Sequence, residues 1–150
     1  MIRQRLGKDL LFFDGGMGTL LQEKGLAPGE LPETWNLTHS EEIYKIHRQY
    51  IEAGSDIILT NTFGANALKF HDDSCSLEEI IKAAVSHVKK AEREALLQTG
   101  DERKIYTALD VGPTGKLLKP MGDLEFETAY EAFKEVVILG EQAGADLIHI

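Results

Sequence analysis

The 150-residue sequence holds one cysteine, Cys75, so no internal disulfide can form. That excludes the disulfide-stapled secreted folds and reads as a reducing compartment, most simply the cytoplasm. Positive charge is also scarce: 16 Lys and Arg against 25 Asp and Glu leave a net charge of −9. A nucleic-acid partner would need a basic stripe, so none is expected. No apolar run approaches the ~20 residues of a membrane span. The charged opening, Met1 to Asp9, has no signal-peptide core, so no membrane partner is expected. What is present, 43% hydrophobic and 27% charged residues, is the composition of a globular domain. The length suffices for one domain with a real core.

Hydrophobic patterning predicts alternating strands and helices. Leu10-Leu11-Phe12-Phe13 reads as a buried strand, and residues 20–24 as a short helix stopped near Gly25. Residues 26–37, with Pro28, Gly29, Pro32 and Trp35, read as an ordered loop. Thr38 and Glu41 have capping-box spacing, and Ile43, Ile46, Tyr50 and Ile51 then recur on one helical face up to Gly54. Residues 56–60 form an apolar run too short for a helix, the signature of a strand buried on both faces. Ser76 and Glu79 open a second long helix with a stripe from Leu77 to Ala95, ended at Gly100. Residues 105–109 are the third strand. Asp123 is the expected N-cap of a third helix that turns Phe126, Tyr130, Phe133, Val137 and Gly140 inward and stops near Gly144. Residues 146–150 begin a fourth strand. Residues 53–58 and 143–148 repeat one plan: glycine stop, acid, apolar strand. The fold class is therefore α/β, built from parallel (β/α) units. Two architectures fit: an open doubly wound sheet, or the first half of a (β/α)8 barrel. The stop inside an apolar strand favours the second, so residues 1–150 are expected to be a barrel fragment.

Three strand C-ends carry polar or glycine-rich loops: Asp14-Gly15-Gly16-Met17-Gly18-Thr19, residues 60–66, and Asp110-Val111-Gly112-Pro113-Thr114-Gly115. Ligand sites in parallel α/β folds lie at that edge. In the first loop, glycine permits φ > 0 and close backbone approach, and successive N–H groups can form an anion nest. Asp14 adds a negative charge beside them. The pair suits a zwitterion, with the nest on its carboxylate and Asp14 on its ammonium. The competing reading is a tight turn with Asp14 as a helix cap. Asp110 reads either as a base or metal ligand, or as a turn-stabilising side chain. His39 and His87 are expected at the surface, His47 at a helix boundary, and His149 either facing the barrel interior or packed in a core. Asp56 and Asp146, at strand starts, are expected to stabilise. Met17 is expected to pack.

Together with Trp35-Asn36-Leu37, the segment His47 to Asp56, and Thr60-Asn61-Thr62-Phe63-Gly64-Ala65, these loops resemble the homocysteine S-methyltransferase family, with five motifs in the family's order. The segments at 60–64 and 112–115 are more similar to the homocysteine-binding barrel of the cobalamin-dependent methionine synthases than to the betaine-dependent members. The resemblance implies a (β/α)8 TIM barrel in which a zinc-activated homocysteine thiolate takes a methyl group. Substrate-binding positions carried over are Asp14, Gly15, Gly16, Thr60, Asn61, Thr62, Phe63 and Asp110. It also implies cofactors: zinc on three cysteines of the later half of the barrel, and cobalamin on another module. The implied partners are homocysteine and either a cobalamin-binding module or the rest of the barrel. Alternatives within the resemblance are a betaine- or S-methylmethionine-dependent enzyme, or an inactive half-barrel.

Cys75 does not match a zinc ligand of that family. A stray site from His71, Asp72 and Cys75 has donors of the right type but no familiar spacing, so a solvated loop is expected. No residue of the chain is therefore assigned as catalytic or as a metal ligand. A third reading, a phosphate-binding enzyme, lacks any Lys or Arg between residues 9 and 23.

Overall fold

The computed structural model describes residues 2–70, 74–100 and 103–150. Its centre is a three-stranded parallel sheet in the order β1 (Ile57–Leu59), β2 (Tyr106–Asp110), β3 (Leu147–His149). Ile57 pairs with Tyr106, Ala108 with Leu147, and Asp110 with His149. Parallel neighbours need long crossovers. These are supplied by α4 (Leu77–Thr99) between β1 and β2, and by α5 (Phe126–Ala143) between β2 and β3. Ahead of β1 lie α1 (Met17–Glu23), α2 (Trp35–Thr38) and α3 (Ser40–Glu52). No helix among the described residues is long and apolar enough to cross a membrane.

Two glycines and one capping box set the helix limits. Gly54 follows α3 at φ +111° and Gly100 ends α4 at φ +67°, where any other residue is strained. Ser76 accepts from the Glu79 N–H at 3.2 Å while the Glu79 carboxylate accepts from the Ser76 N–H at 2.8 Å, as the spacing predicts.

Alternation along the strands sorts the core. Ile58 packs with Tyr44 and Ile51 of α3 and with Val88, Ala91 and Ala95 of α4. Leu109 packs with Ile80 and Ile81 of α4 and Val136 of α5. Ile57, Tyr106 and Ala108 form a second face, packed with Ile2, Leu11, Leu59 and Leu147.

The two strand-start aspartates do the same work, which explains the sequence repeat. The Asp56 N–H donates to the Phe12 carbonyl at 2.7 Å, and its carboxylate accepts the Phe12 N–H at 3.1 Å. The Asp146 N–H donates to the Thr107 carbonyl at 2.8 Å, and its carboxylate accepts the Thr107 N–H at 2.9 Å. Asp56 ties β1 to the segment around Phe12, and Asp146 ties β3 to β2.

Several sequence expectations are corrected. Residues 10–13 are not a buried strand: only Phe13 bridges to Ile57, and Leu10, Phe12 and Phe13 are exposed. The Phe12 carbonyl serves both Asp56 and Ile57, so a regular ladder cannot run past it. Residues 26–37 contain a 3-10 turn, Pro32–Thr34, and the start of α2. Thr38 does not cap α3, because its hydroxyl donates back to the Thr34 carbonyl inside α2 at 3.2 Å. The cap of α5 is Glu125 rather than Asp123. Its inward stripe is Ala129, Ala132, Val136 and, as expected, Gly140; Phe133 packs partly buried against the same core, whereas Phe126 and Tyr130 are exposed. A Cβ on Gly140 would collide with the Leu109 side chain, so small residues win where the helix meets β2.

His47 is neither exposed nor at a boundary. It is fully buried in mid-helix, and neither ring nitrogen has a hydrogen-bond partner. Burial pushes its pKa down to about 3, with His87 as a lesser repulsive cause. Below about pH 6.5 the unfolded chain takes up a proton there that the folded chain refuses. This contribution to stability is complete above pH 6.5 and is lost as the pH falls towards 3. Urea denaturation between pH 7 and 4 should show a loss of up to roughly 1.4 kcal/mol per unit from this group. His47→Phe should flatten that part of the slope. An equal slope in the variant refutes the assignment.

Candidate substrate-binding site

At the C-terminal ends of β1 and β2 the loops enclose a cavity of about 470 Å³. All eight residues carried over from the sequence motifs line it: Asp14, Gly15 and Gly16 from the first loop, Thr60 to Phe63 after β1, and Asp110 at the end of β2. Met17, Gly18, Leu59, residues 30–33 and Lys69 also line it.

Asp14 is fixed by the strand beside it. Its N–H donates to the Ile57 carbonyl at 3.0 Å, and its two carboxylate oxygens lie 3.1 and 3.2 Å from the Leu59 N–H. It does not cap its own helix: Gly16 is the N-cap of α1, with no side-chain cap bond. Burial pushes the Asp14 carboxyl up to about 7; the Leu59 N–H opposes the rise, Asp110 adds to it, and His149 works against it. Such a group gains most when a cation arrives to share its site.

The glycines serve differently from expectation. Gly15, Gly16 and Gly18 are not among the positive-φ residues. Gly15 is needed for space, since a Cβ there would sit 2.7 Å from the Tyr50 hydroxyl of α3. The Tyr50 hydroxyl in turn donates to the Gly16 carbonyl at 3.4 Å.

The loop after β1 is braced on every side. The Thr60 and Thr62 hydroxyls are 2.7 Å apart; Thr62 donates to the Asp110 carbonyl at 2.7 Å, and the Asp110 N–H donates to Thr60 at 3.2 Å. Asn61 donates to the Pro32 carbonyl at 2.7 Å, while its own carbonyl accepts from the Asn36 amide at 2.8 Å. His87, expected at the surface, lies 2.7 Å from the Asn36 carbonyl. The buried Glu33 carboxylate accepts from the Gly64 N–H at 2.5 Å. Phe63 stands at the rim, half exposed, with the Lys69 ammonium 5.5 Å from its ring centroid. Gly112 donates to the Phe63 carbonyl at 3.0 Å, and a Cβ on Gly112 would collide with that carbonyl.

Sequence reasoning missed Glu30, Glu33 and Lys69, which no local motif marks and which only the fold brings to the wall. Lys69 also supplies the cation that the phosphate reading lacked. Even so, among the described residues four carboxylates (Asp14, Glu30, Glu33 and Asp110) stand against one ammonium, and the lining favours a cation over a phosphate. His149, set on β3, hydrogen-bonds Asp110 at 2.9 Å and is half exposed.

The donor set does not fit a thiolate-held zinc. Cys75 is half-buried and packs against the cluster of Phe70, Ile80 and Ile81 rather than lining the cavity. Among the described residues no group of three His, Cys, Asp or Glu is placed to hold a metal. His71 and Asp72, named with Cys75 above, lie outside the described residues.

Comparison with known proteins accords with this geometry. Residues 11–150 match the homocysteine S-methyltransferase family. The chain belongs to that family. It is 30% identical over 151 residues to a methionine synthase of Mycobacterium leprae, covering 97% of this chain and 12% of that protein. Its fold is similar to crystal structures of the homocysteine methyltransferase MmuM from Escherichia coli. The oxidized form gives a TM-score of 0.81 at 23% identity, covering 98% of this chain and 55% of that one. The metallated form gives 0.82 at 22%, with the same coverage. The chain thus spans about half the length of these structures and about an eighth of the curated relative.

In the unliganded family member, the Asp14 carboxyl should titrate near pH 7 by carbon-13 NMR, well above the ~3.9 of an exposed aspartate. An ammonium ligand should lower that midpoint. A midpoint below 5 without ligand contradicts the burial described here.

Proposed function

We propose that residues 1–150 are the homocysteine-binding portion of a methionine synthase-type methyltransferase and form the first half of a (β/α)8 barrel. The half-barrel reading is supported by the parallel β/α order and by coverage of about half of each MmuM structure. The methionine synthase type is supported by 30% identity to the Mycobacterium leprae enzyme.

The observation that carries the substrate reading is the desolvated Asp14 carboxylate in the wall of an acid-rich cavity. Asp14 takes the ammonium of homocysteine. The amino-acid carboxylate lies towards the backbone of residues 15–18 and the Lys69 ammonium, the one cationic side chain in the lining among the described residues. Phe63 covers the aliphatic chain at the rim. The zinc that the resemblance implies for the thiol is held by cysteines beyond these residues, and cobalamin by a further module. No step of the reaction is therefore assigned to a metal here.

Binding below pH 7 must drive a proton off Asp14, so homocysteine affinity should rise from pH 5 to 7 and then level. Asp14→Asn removes a charge-assisted contact worth ~1.5–3 kcal/mol, or roughly 10- to 100-fold in affinity. Calorimetry with homocysteine, in competition with inorganic phosphate, tests this. Unchanged affinity in the variant, or displacement by millimolar phosphate, refutes the ammonium role. The isolated chain should show no methyl transfer to homocysteine with or without added zinc. Zinc-dependent turnover by residues 1–150 alone overturns the assignment of the metal to residues beyond them.

A further inference from the structure

We propose that Glu33 supplies a second acceptor for the ammonium of the bound amino acid, alongside Asp14; this rests on the functional reading above. An ammonium carries several N–H donors, and in a cavity shielded from water each one left without an acceptor costs free energy. Asp14 approaches from one side and already shares both its oxygens with the Leu59 N–H.

Glu33 stands in the wall of the same cavity and is 4% exposed. One oxygen, Oε1, accepts from the Gly64 N–H at 2.5 Å. The other, Oε2, has no hydrogen-bond partner among the described residues, and Glu33 forms no ion pair with them. Nor is Oε2 sealed in the interior, as the unpartnered atoms of Asn36 and His47 are. The space open to it is the cavity that Glu33 lines. The carboxylate is also held in place. Glu33 belongs to the 3-10 turn Pro32–Thr34. In that turn the Pro32 carbonyl accepts from Asn61 at 2.7 Å, and the Thr34 hydroxyl donates to the Leu31 carbonyl at 2.8 Å. A Cβ on Gly64 would lie 2.6 Å from Oε1, so the loop after β1 is closed down on the carboxylate. An acceptor fixed before the ligand arrives loses little freedom on binding.

Two other acids of the wall have partners of their own. Glu30 spends one oxygen on the Ala27 N–H at 3.0 Å and the other on the Trp35 indole N–H at 2.7 Å. Asp110 has the His149 ring 2.9 Å from its Oδ1. A buried carboxylate with one N–H and no cation is costly to keep in place. An ammonium shared by Asp14 and Glu33 offsets that cost for both. The cavity then reads the amino group through two carboxylates, and it discriminates against ligands that have a carboxylate and a thiol but no amine.

Calorimetry on the 150-residue chain tests this with homocysteine and with mercaptobutanoate, the same molecule without its amino group. The wild type should prefer homocysteine. Glu33→Gln keeps an amide oxygen for the Gly64 N–H and loses the charge at Oε2. It should cut that preference roughly tenfold or more through weaker homocysteine binding, with mercaptobutanoate held within about twofold. Equal loss for both ligands assigns Glu33 to loop structure and overturns the proposal, as does an unchanged preference. In the wild type, the carbon-13 resonance of the Glu33 carboxyl should move on saturation with homocysteine and stay in place with mercaptobutanoate. Equal movement, or none, overturns the proposal whether or not the variant folds. A preference lowered by Asp14→Asn but not by Glu33→Gln leaves the functional reading standing without this inference. No preference in the wild type refutes the functional reading, and this inference with it.

Discussion

Parallel strands have no hairpin to fix their register, so something else must set it. Here it is a carboxylate at the start of a strand that accepts a backbone N–H from the extended segment or strand beside it. Asp56 does this for Phe12, and Asp146 for Thr107. Each stitch lies at the edge opposite the cavity, yet it decides which residues meet there. With Asp146 tied to Thr107, Asp110 falls beside His149. With Asp56 tied to Phe12, Asp14 reaches the Leu59 N–H. A one-residue slip would turn Asp110 and His149 to opposite faces of the sheet.

Asp14 uses the same chemistry at the other end of the sheet with a different outcome. Asp146 has Lys89 at 2.5 Å, and the Lys89 and Thr107 bonds outweigh its burial to hold its pKa below the ordinary range. Asp14 has a backbone N–H but no cation, and its pKa rises. Two aspartates with similar backbone partners are thus separated by the lysines beside one of them, Lys89 and Lys104. One is content as it stands, and the other is left with a charge that a ligand can satisfy.

The parts of this structure legible in the sequence are those where one local rule decides. Gly54 and Gly100 end helices because the backbone turns left-handed there, and Ser76 with Glu79 caps α4 because both partners lie three residues apart. The β1, β2 and β3 strands follow from short apolar runs. The eight positions carried over from the resemblance line one cavity because the loops after successive parallel strands converge. What was not legible depends on distant partners. The inward face of α5 was misjudged because the aromatic stripe looked like a core, whereas Gly140 and the alanines allow the helix to lie against Leu109. Nothing local tells Thr38 to close α2 rather than open α3. Glu33 and Lys69 come to the cavity from segments with no recognisable motif, and the burial of His47 and the partial burial of His87 arise from contacts among α2, α3 and α4.

The contact between Gly112 and Phe63 links two loops that the sequence holds far apart. With a backbone bond between them and no room for even a methyl group, neither loop can shift without carrying the other. The rim aromatic is therefore a rigid extension of β2 rather than an independent flap. Whatever reaches the cavity past Phe63 must fit an aperture whose width is set by the sheet itself.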